Sequence, residues 1–251
     1  MEPGIIVENQ GPITTVTLSS PDKLNAMSRA MWRDLRTAFL SIQANADVRC
    51  VLVRGSGPHF CAGGDIAEYP DFRFDQAQLQ HFHEVEVWGA LSAMLACDVP
   101  IVAQIAGVCM GAGVEIASAC DLRLAAVDSK FGAPIARLGF PMAPREAALV
   151  GAAVGEMTAR AMLLAAEVFT AQHMATQGFL THVLAADGLA DACGSLAHRI
   201  ARLAPQAARL NKQTLRAIRE GATVASPYDY ATGAEHREGI GAFIAKRTPH
   251  F

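Results

Sequence analysis

The sequence lacks several features that would place it in a specialised class of protein. Its 251 residues carry 21 lysines and arginines against 24 aspartates and glutamates, whereas a general nucleic-acid-binding protein needs a basic face. Charged residues make up 18% of the chain and hydrophobic residues 51%, a globular rather than a disordered composition. The most apolar long stretch, residues 147–169, is interrupted by Glu156, Arg160 and Glu167, so we expect no membrane-spanning helix and no membrane partner.

The cysteines and histidines do not form a recognisable metal or disulfide pattern. Six cysteines include no C-x-x-C pair, and the eight histidines show no metal-ligand spacing. We expect reduced thiols in or near the core, no bound metal and, because the start MEPGIIVENQ lacks a basic and apolar signal region, a cytoplasmic location. His81 and His83 are two residues apart in a predicted helix and point to different faces; we interpret both as surface residues.

Strand and helix patterns alternate along the first part of the chain. Short apolar strands are predicted at 5–7, 13–18, 50–54 and 101–105, with helices at 28–44 (capped by Ser28) and 76–95. This alternation predicts an α/β fold with largely parallel strands. After a short strand at 181–184 the chain reads as helical from Leu189, so we predict a core region at 1–187 and a helical C-terminal region at 188–251.

The stretch 101–126 carries the first candidate for chemistry. An apolar strand turns at Gly107, passes through Gly111-Ala112-Gly113 and enters a short apolar helix at 114–119, followed by a second strand from Asp121. The first N–H groups of a helix have no partner within it and suit an oxygen that carries negative charge. Glu115 lies in the first turn among apolar neighbours, where we expect a raised pKa and a role in proton transfer.

A second glycine junction lies in the loop around 60–64, where Gly63-Gly64 precede a predicted helix near Asp65. Each junction can offer a backbone N–H. Two such groups brought together form an oxyanion hole, in which one donor is typically worth about 3–4 kcal/mol of barrier.

Six motifs in order then resemble the crotonase superfamily, the enoyl-CoA hydratase/isomerase family. They are PDKLNA at 21–26, FCAGGD at 60–65, AGVCMGAGVE at 106–115, CDLR at 120–123, FGAP at 131–134 and EGIGAF at 238–243 with Lys246, Arg247 and Pro249. The resemblance implies a right-handed spiral of ββα repeats, a helical C-terminal region used for trimerisation, and assembly as a homotrimer or a dimer of trimers.

The resemblance also implies an acyl-CoA thioester as substrate, with coenzyme A as part of that substrate and no separate cofactor. The thioester oxygen would be held by the N–H groups of Gly64 and Ala112, with Glu115 as the catalytic carboxylate. The implied substrate-binding residues lie in the same motifs and at the C-terminus: Lys23, Leu24, Ala26, Ala62, Gly63, Asp65, Ile66, Gly111, Pro134, Ile135, Leu138, Gly139, Phe243 and Lys246.

The sequence departs from the family pattern at one catalytic position. Hydratases of the family use a second glutamate after the FGxP stretch, and here that position is Ile135; the loop after Leu138-Gly139 is also bulkier than usual. Three interpretations follow. Glu115 alone serves a hydratase or a double-bond isomerase, the protein performs other enolate chemistry such as decarboxylation, or another group fills the gap, the candidates being Glu146, His59, Tyr69 and Tyr230.

Two other classes compete with an acyl-CoA enzyme. A non-catalytic acyl-CoA-binding protein would fit Ile135, although the retained Glu115 beside Ala112 argues against it. A dinucleotide-dependent oxidoreductase is disfavoured because Ile116 stands where the third glycine of a G-x-G-x-x-G motif would be.

Overall fold

A computed structural model describes residues 3–251, in which a six-stranded sheet forms the centre of the fold. Its strand order is β1-β2-β3-β4-β6-β9, formed by β1 (Gly4–Gln10), β2 (Ile13–Ser19), β3 (Cys50–Gly55), β4 (Ile101–Ile105), β6 (Leu122–Ala126) and β9 (His182–Leu184). Only β1 pairs antiparallel, with β2, and every later pair in this sheet is parallel. The predicted α/β class and its parallel strands are therefore confirmed.

A second, three-stranded sheet has the order β5-β7-β8 and is formed by β5 (Val108–Met110), β7 (Lys130–Gly132) and β8 (Val168–Thr170). Our sequence reading of 101–126 missed β5, because three residues between two glycines leave no period-two pattern to detect. Strand β5 runs parallel to β7. Strand β5 lies in the chain between β4 and the helix that begins at Ala112.

Ten α-helices are found in residues 3–251. They are α1 (Arg29–Ala44), α2 (Gln76–His81), α3 (Trp88–Ala96), α4 (Ala112–Ser118), α5 (Pro144–Val154), α6 (Glu156–Leu164), α7 (Ala171–Thr176), α8 (Leu189–Ala201), α9 (Pro205–Glu220) and α10 (Ala234–Ile244). Ser28 caps α1 as predicted, its hydroxyl accepting from the Met31 N–H at 3.2 Å. None of these helices is both long and apolar enough to cross a membrane.

Two predicted helices differ in detail from the observed ones. The segment that follows Asp65 is a 3₁₀ helix, Ile66–Asp71, with Asp65 as its cap. The helix predicted at 76–95 is continuous but contains a π-helical turn, Phe82–Val87, between α2 and α3. Such turns insert one extra residue into a helix and occur frequently at functional sites.

The hydrophobic core lies on both faces of the six-stranded sheet. On one face, Val51, Val53, Ile101 and Ala103 pack in a large cluster with helices α1, α3 and α4; on the other, Leu52, Val102 and Leu124 pack against α8 through Leu189, Cys193, Leu196 and Ile200. Parallel strands covered on both faces are apolar at successive positions. All six cysteines are buried and unpaired, as predicted. The division near residue 187 stays a prediction.

Candidate active site

The two glycine junctions predicted from the sequence lie side by side. Cys61 pairs with Cys109 across an isolated bridge, the Cys61 N–H donates to the Val108 carbonyl at 3.0 Å, and the Met110 N–H donates to the Cys61 carbonyl at 2.9 Å. A Cβ atom at residue 113 would lie 2.6 Å from the Cys61 carbonyl oxygen. Glycine at that position therefore allows α4 to approach the first junction closely.

The backbone N–H groups of Gly64 and Ala112 are both free to bind a ligand. Neither N–H has an acceptor among the hydrogen bonds of residues 3–251, and both residues line one cavity. By contrast the Gly111 N–H donates to the Gly132 carbonyl at 2.9 Å. The chain direction at this point is set by Gly111, whose φ of 47° lies in the left-handed region that favours glycine.

The cavity beside these N–H groups has a volume of about 220 Å³ and is mostly apolar. One water needs roughly 10–15 Å³ of such volume, so the cavity can hold a short acyl group together with water. Two carboxyl groups line it, Glu115 from α4 and Glu146 from α5.

Glu115 is 8% exposed, and its carboxyl makes no hydrogen bond to any residue of the described range 3–251. Burial, and secondarily the neighbouring charge of Glu146, raise the pKa of Glu115 well above its ordinary value. The raised pKa predicted from the apolar sequence around Glu115 is confirmed.

Glu146 is held differently, although it is only 2% exposed. Nδ1 of His83 lies 3.0 Å from Oε1 and 3.1 Å from Oε2 of Glu146. The prediction that His83 is a surface residue is therefore wrong: its side chain is 17% exposed and faces the cavity. The helical spacing of His83 with the buried Val87, Ala90 and Met94 is a sequence signal that could have placed it on the inner face.

Tyr69 and Arg73 form the part of the wall next to Gly64. A Cβ atom at residue 64 would overlap the Tyr69 hydroxyl oxygen, so that hydroxyl lies directly over the Gly64 backbone. Burial raises the pKa of Tyr69 to about 12, and the phenol remains a hydrogen-bond donor. The Arg73 guanidinium lies 4.4 Å from the Tyr69 ring centroid and 3.9 Å from that of Phe140.

The cavity brings together most of the residues that the sequence predicted for the site. It is lined by Ala62, Gly63, Gly64, Ile66, Gly111, Ala112, Glu115, Pro134, Ile135 and Leu138. The predicted binding residues outside this lining are Lys23, Leu24, Ala26, Asp65, Gly139, Phe243 and Lys246. Sequence reasoning missed His83, Arg73, Phe82, Phe140, Pro141 and Met142, which also line the cavity.

Lys23 and Asp65 form an ion pair between the early loop and the first glycine junction. Lys23 Nζ lies 2.5 Å from Asp65 Oδ2, while Asp65 Oδ1 accepts from the Ala67 N–H at 3.2 Å. The Lys23 side chain is half exposed. The pair joins the early loop to the residue that directly follows Gly64.

Four groups were candidates to replace the glutamate absent at Ile135, and the fold separates them. Glu146 and Tyr69 line the cavity. His59 does not, because its Nδ1 accepts from the Val108 N–H at 3.3 Å and its ring packs against Gly107. Tyr230 lies between α9 and α10, among residues that line a different pocket.

No group of three or more metal-ligating side chains in residues 3–251 could hold a metal ion.

Comparison with known proteins identifies the family. The family model described as Enoyl-CoA hydratase/isomerase matches residues 8–251. The chain belongs to the enoyl-CoA hydratase/isomerase family. The resemblance carried by the six sequence motifs is thereby confirmed, and the protein is an enzyme of this family.

Relatives in this family match the chain over nearly its whole length. The "Probable enoyl-CoA hydratase echA8" of Mycobacterium tuberculosis is 29% identical, covering 98% of this chain and 97% of the relative. The 2,3-dehydroadipyl-CoA hydratase of Escherichia coli is 29% identical and covers 98% of each chain. The crystal structure of an enoyl-CoA hydratase/carnithine racemase from Magnetospirillum magneticum matches with a TM-score of 0.94 at 34% identity, over 98% of this chain and 94% of that one. The crotonase-like fold is confirmed by this agreement.

Proposed function

We propose that this chain is an enoyl-CoA hydratase in which Glu146 supplies the second carboxylate that the family pattern would place at Ile135. One observation carries the proposal: Glu115, Glu146 and the free N–H groups of Gly64 and Ala112 all line a single cavity. Hydration next to a thioester requires a proton acceptor, a proton donor and stabilisation of an enolate oxygen. The four groups match these three requirements.

The reaction follows from the chemistry of the groups. Glu146 takes a proton from water, and the water oxygen forms a bond to the β-carbon of the enoyl thioester. The electrons of the carbon–carbon double bond move to the thioester oxygen, which the N–H groups of Gly64 and Ala112 bind as an enolate. As the enolate collapses, the α-carbon takes the proton of Glu115. Glu146 then releases its proton to solvent, and Glu115 takes up a proton from solvent. Both carboxyls are thereby restored to their starting states.

The apolar lining supports this division of roles. Ile135 and Leu138 contribute apolar side chains to the cavity lining and offer no hydrogen-bonding partner to the two carboxyls. A carboxyl that is buried without hydrogen bonds keeps its proton to higher pH, which suits Glu115 as the donor. An environment that separates the behaviour of two neighbouring carboxyl groups is a recurrent basis for acid–base assignment.

The proposal extends to the remainder of the substrate and to the assembly. Coenzyme A enters as part of the substrate, and the half-exposed Lys23 beside Asp65 is a proposed contact for it. Phe243 lies in α10 and Lys246 lies just after that helix. Both residues are exposed, and both are outside the cavity of their own chain. Contact of these two residues with coenzyme A, and assembly as a trimer or a dimer of trimers, stay part of the proposal.

The test is a panel of enoyl-CoA thioesters of increasing chain length, incubated with the enzyme in H₂O and in D₂O and read by mass spectrometry. Hydration adds the mass of one water. A product whose mass is unchanged in H₂O but raised by deuterium in D₂O would indicate isomerisation. Loss of CO₂ from a carboxyacyl-CoA would indicate decarboxylation, and binding without any mass change in either solvent would indicate a non-catalytic protein. Each of the last three outcomes contradicts hydration as the function.

Carboxamide variants test the residues within the same assay. Glu115→Gln and Glu146→Gln should each lower the hydration rate by about 10²- to 10⁴-fold, the usual contribution of a general acid or base. Glu167→Gln is the matched control, because Glu167 is exposed and lies outside the cavity. Full activity of Glu146→Gln would remove Glu146 from the mechanism while leaving the family assignment intact.

A further inference from the structure

The π-helical turn and the start of α5 are joined by two polar contacts. His83 Nδ1 contacts both oxygens of Glu146, and Arg145 Nη1 lies 3.3 Å from Oε2 of Glu84. His83 and Glu84 of the π-helical turn therefore contact Glu146 and Arg145 of α5, respectively. The pair of contacts fixes the position of the Glu146 carboxyl relative to the cavity wall.

The hydrogen bonds at His83 determine which of its nitrogens carries the proton. Arg73 Nη1 lies 3.4 Å from His83 Nε2, and a guanidinium can only donate. Nε2 must then be the acceptor, so the proton of the neutral ring lies on Nδ1, from which it is donated to Glu146. Arg73 is held for this contact by stacking against Tyr69 and Phe140.

We propose that His83 is a positioning residue which, oriented by Arg73, holds the Glu146 carboxyl in place as the general base. This inference rests on the proposed function, and it assigns the acid to Glu115 and the base to Glu146. The two carboxyls differ in their partners: Glu146 accepts from His83, while Glu115 accepts no hydrogen bond from residues 3–251. The bulky loop after Gly139 contributes to this arrangement, because Phe140 stacks on Arg73.

Several charged or titratable groups on other elements face Glu146 and bear on its pH response. Glu115 on α4, His83 on the π-helical turn, Arg73 and the phenol of Tyr69 all line the same cavity as Glu146, and His83 Nδ1 is the group that contacts its carboxyl. Removal of the His83 donor takes away a hydrogen bond that favours the charged form of the Glu146 carboxyl. The pH range in which Glu146 can act as a base should then move upward.

The first test compares His83→Leu with His83→Asn. Leucine removes the donor. Because a hydrogen bond to a charged group is typically worth about a 10- to 100-fold change in an equilibrium or rate constant, we expect a loss of that size in kcat/KM at neutral pH. The loss should become smaller as pH rises. Asparagine can place an N–H near the position of Nδ1 and should restore most of the activity and the original acidic limb. A loss of equal size at every pH, or no rescue by asparagine, would overturn the proposal.

A double-mutant cycle separates a role through Glu146 from a general effect on packing. In a Glu146→Gln background, His83→Leu should cause little further loss, because the base on which it acts is already absent. Additive losses in the double variant would overturn the proposal. Arg73→Lys, which keeps the charge but loses the planar stacking, should give an effect of the same sign and smaller size than His83→Leu.

The second test does not depend on any substrate, and it distinguishes failure of this inference from failure of the proposed function. Nitrogen NMR of the ring, assigned by the signals lost in His83→Asn, should show neutral His83 protonated at Nδ1 near neutral pH. A neutral ring protonated at Nε2, or a doubly protonated ring, would overturn the inference even if hydration is observed. If no enoyl-CoA is hydrated, the proposed function fails, and the state of His83 is still measured.

Discussion

The hydroxyl oxygen of Tyr69 occupies the space that a Cβ atom at residue 64 would need. Residue 64 is glycine for this reason rather than for a left-handed backbone, since the glycines with positive φ include Gly63 but not Gly64. The contact joins the proposed oxyanion donor to a wall of the cavity. A side chain at residue 64 would displace the phenol, the backbone N–H or both.

Gly64→Ala should therefore lower activity through this overlap. We expect a loss of about 10²- to 10³-fold in kcat for the hydrated thioester, the usual cost of an impaired oxyanion donor, without loss of the folded state. Tyr69→Phe in the same chain removes the oxygen, after which the alanine Cβ meets the ring carbon Cζ at 3.1 Å. The double variant should recover part of the rate lost by Gly64→Ala; a double variant as slow as Gly64→Ala would contradict the steric explanation.

The stability of the chain should depend on pH through Glu115. Because its pKa is raised in the folded state, the stability associated with the neutral carboxyl is fully present below the unfolded value of about 4.3 and is lost as pH rises through the folded pKa. Glu115→Gln removes this dependence. We expect its free energy of unfolding to exceed that of the native sequence by an amount that grows as pH rises above the unfolded value toward the folded pKa, at up to roughly 1.4 kcal/mol per pH unit.

Urea unfolding across this pH range measures the difference. Glu167→Gln serves as the control, because the exposed Glu167 side chain carries no such penalty. A Glu115→Gln variant whose advantage stays constant or declines with rising pH would contradict a carboxyl kept neutral by burial. A variant that is more stable but less active would be consistent with a group retained for catalysis.

Local sequence patterns predicted one half of the site well and the other half poorly. The two glycine junctions, Gly63-Gly64 and Gly111-Ala112-Gly113, are contiguous in the chain, and their strand–loop–helix context could be read directly. Glu146 appeared only as one of four open alternatives, because it lies on another helix and reaches the cavity through the packing of α5 beside α4. Its partner His83 was assigned to the surface, although its helical spacing with Val87 placed it on an apolar stripe.

Asn25 shows how a buried polar side chain in the early loop supports the site. It is fully buried; its Oδ1 accepts from the Ser20 N–H at 3.0 Å, and its Nδ2 donates to the carbonyls of Ser56 at 2.8 Å and His59 at 2.7 Å. These bonds tie the loop to the segment that leads into the first glycine junction. Asn25→Ala removes one buried and two partly buried hydrogen bonds and should cost about 2–4 kcal/mol of unfolding free energy.

The matched control for Asn25→Ala is Asn45→Ala, at the exposed end of α1. The Asn45 side chain accepts a single hydrogen bond, from the Asp47 N–H at 2.9 Å, so removal of the side chain should cost less than about 1 kcal/mol. Both values come from urea unfolding at one pH. Equal costs for the two variants would show that the burial of Asn25 does not contribute as argued.

The last prediction tests whether Glu146 replaces the glutamate that the family pattern places at position 135. Ile135 and Glu146 line the same cavity. Ile135→Glu alone should lower the hydration rate, because a third carboxyl in an apolar cavity opposes the ionisation of Glu146. In a Glu146→Gln background the same substitution returns a second carboxylate and should raise the rate by at least about tenfold, part of the usual contribution of a general base. Ile135→Gln in that background matches glutamate in size without its charge and should give no recovery. Equal recovery with glutamine, or none with glutamate, would contradict the view that the two positions serve one function.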